Sequence, residues 1–155
     1  MTRHEEESLT RLMVRTHKLF RHNVDLQIRA FDVYPGQPPL LLRLVRMDGL
    51  SQKELAGHMH VQPATLTVMI NRMAKNGLLE RRPDDRDQRV QRVFLTEKGR
   101  TAAAAVQDAL GSLEEYSFAR FSDSEKALFR ELLERMRTDL EAFRAQQEES
   151  EEKES

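Results

Sequence analysis

The chain has 155 residues, of which 39% are hydrophobic and 33% charged, with a formal net charge of −1. That composition suits one soluble, helix-leaning domain with a modest core. The absence of cysteine excludes disulfides, thiolate catalysis and peroxide sensing through a cysteine thiol. No apolar run is long enough to span a bilayer, and the polar, acidic Met1–Ser8 does not read as a signal peptide, so a cytoplasmic, non-membrane protein is expected.

In chain order, Leu9, Leu12, Met13, Thr16, Leu19, Phe20 and Phe31 fall at helical spacing and predict one long helix over about Leu9–Phe31. The breakers Tyr34-Pro35-Gly36-Gln37-Pro38-Pro39 predict a turn. A short apolar helix over Leu40–Met47 then ends near Asp48-Gly49. Ser51-Gln52-Lys53-Glu54 is a capping box, opening a helix with Leu55, Ala56 and Met59 inward. Pro63 suits the first turn of the next helix, whose buried stripe is Leu66, Met69, Ile70 and Met73. Gly77 suits its left-handed stop.

Two extended runs, Leu78–Arg82 and Val90–Leu95, flank the polar stretch Pro83–Arg89 and predict a hairpin. Thr96 is expected to cap a helix to about Phe121. Ser122 or Asp123 caps the last helix, with Leu128, Leu132, Leu133, Met136, Leu140 and Phe143 on one stripe. The order predicts a mainly α fold with a small β-hairpin wing: a winged helix-turn-helix lobe over about 36–99. Helices over about 5–33 and 97–147, from both chain ends, carry apolar stripes that need a partner. A helical dimerisation region within one 1–155 domain satisfies them, leaving 148–155 as an acidic tail, read as a frayed, solvated helix end.

Charge is unevenly distributed. Residues 81–100 hold seven basic against four acidic side chains, and 146–155 hold five glutamates against Lys153. A local basic patch, more than the global sum, marks a nucleic-acid footprint. With the Leu66/Met69/Ile70/Met73 stripe inward, the opposite face of that helix carries Ala64, Val68, Asn71 and Lys75, flanked by Thr65, Thr67 and Arg72. Asn can pair with adenine, and Thr or Val can touch a thymine methyl, in a major groove. Thr65, Thr67, Arg72 and Lys75 suit phosphates equally. Arg86, Arg89 and Arg92, three apart on the hairpin, suit a narrow minor groove. Asp84, Asp85 and Asp87 would repel DNA if they faced it; Asp87 is expected instead to orient Arg89.

Leu50-Ser-Gln-Lys-Glu-Leu-Ala56, Thr65-Leu-Thr67, Ile70-Asn-Arg-Met73, Gly77-Leu-Leu-Glu-Arg81, Asp87-Gln-Arg89 and Leu95-Thr-Glu-Lys-Gly99 together resemble the MarR family. The resemblance is tight over about 50 residues and extends, through the flanking helices, over nearly the whole chain. It implies a triangular, mostly helical homodimer that binds double-stranded, pseudo-palindromic DNA as a transcriptional regulator, typically a repressor. It places Thr65, Thr67, Val68, Asn71 and Arg72 on the recognition helix and makes Arg89, held by Asp87, the wing arginine. It also implies release from DNA by a small organic effector. Residues His22, Arg29, Phe31, Tyr34 and Arg43 are the pocket candidates.

This chain departs from the pattern twice. Val68 stands where many members carry Arg or Lys, so a thymine methyl contact is expected there in place of guanine reading. Gln62 replaces the usual Ser before the recognition helix; that weakens the cap and frees Gln62 for a base or phosphate.

The five histidines, His4, His17, His22, His58 and His60, do not make a metal site in this reading, and His58-Met59-His60 is read as surface. His17 and His22 are assigned to an effector pocket or a dimer seam. The sequence contains no catalytic motif, phosphate loop or cofactor site, so no enzyme activity and no cofactor are expected. Two other functions fit a winged fold: a protein-interaction module that does not bind DNA, and a ligand-independent architectural DNA binder.

Overall fold

The computed structural model describes residues 8–154. The expectations for His4, for the polar, acidic segment over residues 1–7, for a helix start at residues 5–7 and for Ser155 lie outside the described residues. The element order is α1 (Leu9–Ile28), a 3-10 turn (Arg29–Phe31), α2 (Pro38–Arg46), β1 (Leu50–Ser51), α3 (Gln52–Met59), α4 (Pro63–Lys75), β2 (Leu79–Pro83), β3 (Gln91–Leu95), α5 (Glu97–Phe118) and α6 (Asp123–Glu154). The chain forms two compact units, one ending at Glu114 and one beginning at Glu115.

In the first unit, α1 is capped by Ser8, whose hydroxyl accepts from the Arg11 N–H at 3.3 Å. The helix stops at Ile28, short of the expected Phe31. The chain tightens into the 3-10 turn and Asp32 turns left-handed, with φ 59°. Only the C-terminal part of α1 is buried, through Val24 and Ile28. Prolines 38 and 39, read from sequence as breakers, occupy the first turn of α2. Their missing N–H groups would have had no helical acceptor there. Helix α2 buries Leu40, Leu41 and Leu44 against Leu55, Leu66, Ile70, Met73, Leu78, Val93 and Val106, all fully buried. Each of these larger side chains contributes about 1.5–3 kcal/mol by leaving water.

The hairpin is part of a three-stranded antiparallel sheet of order β1-β3-β2. Strand β2 pairs with β3 from Leu79↔Leu95 to Pro83↔Gln91. The two-residue β1 escaped the sequence reading and pairs on the other side of β3, Leu50 with Val93 and Ser51 with Arg92. Gly77 adopts φ +76°, the left-handed conformation expected of it. Gly99 in α5 is required for a different reason. A Cβ there would lie 2.0 Å from the Leu78 carbonyl oxygen, so helix and strand base touch backbone to backbone. Thr96 caps α5, accepting from the Gly99 N–H at 3.0 Å.

Helix α5 ends at Phe118, earlier than the expected Phe121. In the second unit, Ser122 and Glu125 form a capping box for α6. The Ser122 hydroxyl accepts from the Glu125 N–H at 3.2 Å, and Glu125 accepts from the Ser122 N–H at 2.8 Å. Phe118, Phe121 and Phe129 gather beside that start, with centroids 5.2–6.4 Å apart. The helix continues through the acidic segment to Glu154, in keeping with its reading as a helix end. Its stripe of Leu128, Leu132, Leu133, Met136, Leu140 and Phe143 is exposed in the single chain.

Candidate nucleic-acid interface

The capping box that opens α3 is complete: the Ser51 hydroxyl accepts from the Glu54 N–H, and Glu54 accepts from the Ser51 N–H at 2.7 Å. The Ser51 backbone N–H foremost, and then the Ser51 side chain, hold the Glu54 carboxyl below its ordinary value. Helix α3 closes on His60, which is left-handed at φ 51°. Three residues later Pro63 begins α4. Gln62 occupies the cap position without a side-chain bond to the helix, as its amide length predicts.

Leu66, Ile70 and Met73 of α4 are buried; Met69 is half-buried. Gln62, Ala64, Thr65, Val68, Asn71, Arg72 and Lys75 are exposed, and Thr67 is half-buried. The outer face is thus small and methyl-bearing near its start and basic in its last turn, where cations oppose the negative end of the helix dipole.

Two of these side chains are already engaged. Arg81 on β2 donates through Nε to Gln52 Oε1 at 3.0 Å and through Nη2 to Asn71 Oδ1 at 2.6 Å. Gln52 Nε2 donates to Thr67 Oγ1 at 3.3 Å, and the Thr67 hydroxyl donates to the Pro63 carbonyl at 2.9 Å. The sequence reading missed Gln52 and Arg81. They lie 29 residues apart, and only the folded sheet brings them together.

The wing tip is organised by Asp84. Its Oδ2 accepts from the backbone N–H groups of Arg86 and Asp87 at 3.2 and 3.1 Å, and its Oδ1 accepts from Arg92 Nε at 2.6 Å. The Arg92 guanidinium first, then the Asp87 N–H, hold the Asp84 carboxyl below its ordinary value, and the pairing raises Arg92 in turn. Arg92 also donates to the Gly49 carbonyl at 2.9 Å and lies 3.6 Å from Glu54. The structure therefore places Arg92 at the base of the wing, braced against the start of α3, and not in line with Arg86 and Arg89. Asp84 had a local signal that went unused: a short aspartate two residues before a tight tip commonly bonds the backbone ahead of it.

Asp87 Oδ1 accepts from both the backbone N–H and Nε of Arg89, at 3.1 and 3.2 Å. The Arg89 side chain is 94% exposed, and Arg86 is exposed beside it. Arg82 stacks its guanidinium 4.6 Å from the Phe94 ring centre and pairs with Glu80.

Of the effector candidates, His22, Arg29, Phe31 and Tyr34 are exposed and Arg43 is half-buried. Asp32, among them in sequence, accepts from Lys98 Nζ at 2.6 Å. The same ammonium donates to the Asn76 carbonyl, at the end of α4, at 2.8 Å. His58 and His60 are exposed, and among the described residues no three His, Cys, Asp or Glu side chains are grouped to hold a metal ion. No described helix is long and apolar enough to cross a membrane.

Comparison with known proteins agrees with this arrangement. The MarR family model matches residues 34–91, from the turn before α2 to the start of β3. The helix-turn-helix-type transcriptional regulator YsmB of Bacillus subtilis is 32% identical over 109 residues, covering 68% of this chain and 73% of its own. A second B. subtilis regulator of that type, YybA, is 25% identical over 117 residues, covering 76% and 78%. The Staphylococcus aureus MepR–DNA complex shares the fold at a TM-score of 0.78, with 20% identity over 86% of this chain and 99% of that one.

Proposed function

The chain belongs to the MarR family of transcriptional regulators, and from that premise we propose that two copies of it form a sequence-specific repressor on pseudo-palindromic duplex DNA. The observation that carries this reading is the pairing of an exposed, methyl-bearing and basic α4 face with an arginine wing whose tip is held in shape by its own aspartates. The α4 helix enters the major groove through Gln62, Ala64, Thr65, Thr67, Val68, Asn71, Arg72 and Lys75. Val68 touches a thymine methyl, and Arg72 and Lys75 take phosphates. Arg89, with Arg86 beside it, enters the minor groove, where a narrow groove concentrates negative potential. Asp87 orients Arg89. Arg92 acts one step back, as the brace of the wing.

The homodimer is supported by the exposed apolar stripe of α6 and by Leu9, Leu12, Leu19 and Leu26 of α1, also exposed in the single chain. Two-fold symmetry would set the two α4 helices about 34 Å apart, one turn of DNA. A small organic effector, held around His22, Arg29, Phe31, Tyr34 and Arg43, changes that separation and lowers affinity. Support for coupling comes from Lys98, which joins the Asp32 turn to the end of α4.

The test is fluorescence anisotropy of a labelled duplex from upstream of the chain's own gene, against random duplex, at two salt concentrations. Preferential binding that weakens steeply with salt is expected, because several phosphates are neutralised. Arg89→Ala should weaken it at least about tenfold, the loss of one well-placed charged contact. Unchanged affinity in that variant refutes the wing assignment. Binding that does not distinguish the duplexes favours an architectural role, and no binding at all favours a protein-interaction module.

A further inference from the structure

The hydrogen-bond polarity of the Arg81 network is fixed by chemistry alone. A guanidinium has five donors and no acceptor. The Asn71 atom 2.6 Å from Arg81 Nη2 is therefore the amide oxygen, and the Gln52 atom 3.0 Å from Arg81 Nε is likewise oxygen. Gln52 must then turn its NH2 toward Thr67, which accepts at 3.3 Å and so spends its own hydrogen on the Pro63 carbonyl. One arginine sets the direction of every bond from β2 across α3 to α4.

Two consequences reach the outer face of α4. Asn71 is exposed, yet its oxygen is committed inward, which leaves its NH2 as the group facing outward. Thr67 keeps its methyl and a lone pair but has no hydrogen left to donate. The two-pronged pairing of Asn with adenine uses the amide oxygen and the NH2 together. Here the oxygen would have to leave, or share, a charge-assisted bond, which is about twice as strong as a neutral one.

We propose that Arg81 and Gln52 are positioning residues for DNA reading: they hold Asn71 so that it offers a lone donor to the major groove, selecting an acceptor edge such as guanine O6/N7 and rejecting the donor edge of cytosine. The proposal rests on the DNA-binding reading of α4. It replaces the adenine pairing that the Asn side chain suggests by itself.

The experiment is selection from a randomised duplex pool, followed by titration of every single-base variant of the selected site, with the wild-type chain, Asn71→Asp and Arg81→Met. Asn71→Asp is nearly isosteric and keeps the Arg81 bond, now as an ion pair, but has no donor. At one base pair per half-site the wild type should favour an acceptor edge. Asn71→Asp should swing that preference toward adenine or cytosine by about tenfold, the order of discrimination from one base contact. Arg81→Met should move the same position toward adenine, because it frees the Asn71 oxygen. In the free protein, the Arg81 Nε–H resonance should be protected from exchange in the wild type and in Asn71→Asp.

A wild-type preference for adenine at the affected pair overturns the proposal. So does a uniform loss in Asn71→Asp with the base profile unchanged, or an unprotected Arg81 Nε–H. If the wild type selects no sequence at all, the DNA-binding reading fails, and this one with it. If it selects a site whose profile neither variant alters, only the assignment to Asn71 fails.

Discussion

Replacing Gly99 by alanine reverses the usual sign of a helical glycine substitution. In an open helix the change favours folding by about 1 kcal/mol. At Gly99 the new methyl carbon would lie 2.0 Å from the Leu78 carbonyl oxygen, 3.0 Å from its carbon and 3.2 Å from Leu95 Cδ2. An ordinary carbon–oxygen approach is no closer than about 3.3 Å, so helix and strand base must part by more than about 1 Å. The oxygen cannot retreat freely, since it accepts from the Thr96 N–H at 3.1 Å and belongs to a fully buried residue. Losing that bond costs about 1 kcal/mol and overpacking about 1–3. The net expectation is about 1–3 kcal/mol of destabilisation, or a melting point lower by roughly 5 °C for a chain of this length. Gly57→Ala is the control: it is helical with nothing within 4 Å of its Cβ position, and should raise stability slightly. Both are measured by thermal and urea unfolding at one fixed protein concentration, because association itself stabilises. A Gly99→Ala protein that melts with or above the wild type, while Gly57→Ala behaves as stated, refutes the backbone contact.

Three further outcomes follow from the caps and the wing. Ser51→Ala removes the acceptor for the Glu54 N–H and should cost about 1 kcal/mol in urea unfolding. Asp84 and Glu54 are both held below their ordinary values of 3.8 and 4.5. A depressed carboxylate contributes stability that is present above the unfolded value and disappears as pH falls through the folded one. The stability gap between wild type and Asp84→Asn should therefore be constant above about pH 5 and shrink below 3.8, as pH-dependent urea midpoints will report. Lys75→Ala should weaken binding to all duplexes alike and flatten the log–log salt dependence by about 0.9, one phosphate contact; a selective loss at one sequence would make it a base reader instead.

Local chemistry was legible in the sequence. Ser51 with Glu54, Pro63, Gly77, Thr96 and Ser122 each did at its own position what its side chain dictates, and the 3.6-residue spacing of Leu66, Ile70 and Met73 located the buried side of α4. The failures lie where distant segments meet. Strand β1 is two residues long and shares Ser51 with a helix cap, so no alternation could reveal it. Arg92 looked like its neighbours on an extended ribbon, yet Gly49, Glu54 and Asp84 claim it from three directions. Asn71 was placed correctly on the outer face, but the state of its amide depends on Arg81, which local sequence does not show beside it. Pro38 and Pro39 were misread because a proline stops a helix and starts one with equal ease.

The position of β3 between two partners has a consequence for how such a wing can change over generations or by engineering. Because Val93 is tied to Leu50 on one side and to Arg81 on the other, a slip of one residue would break two ladders at once and turn Val93 and Leu95 out of the core. Length and charge are therefore free to vary only beyond the Pro83↔Gln91 pair and the brace next to it, where Asp84 is tied to Arg92 and to the Val90 carbonyl. A library confined to residues 85–89 could exchange one tip for another while the helices beneath keep their alignment, much as a tool holder accepts different bits.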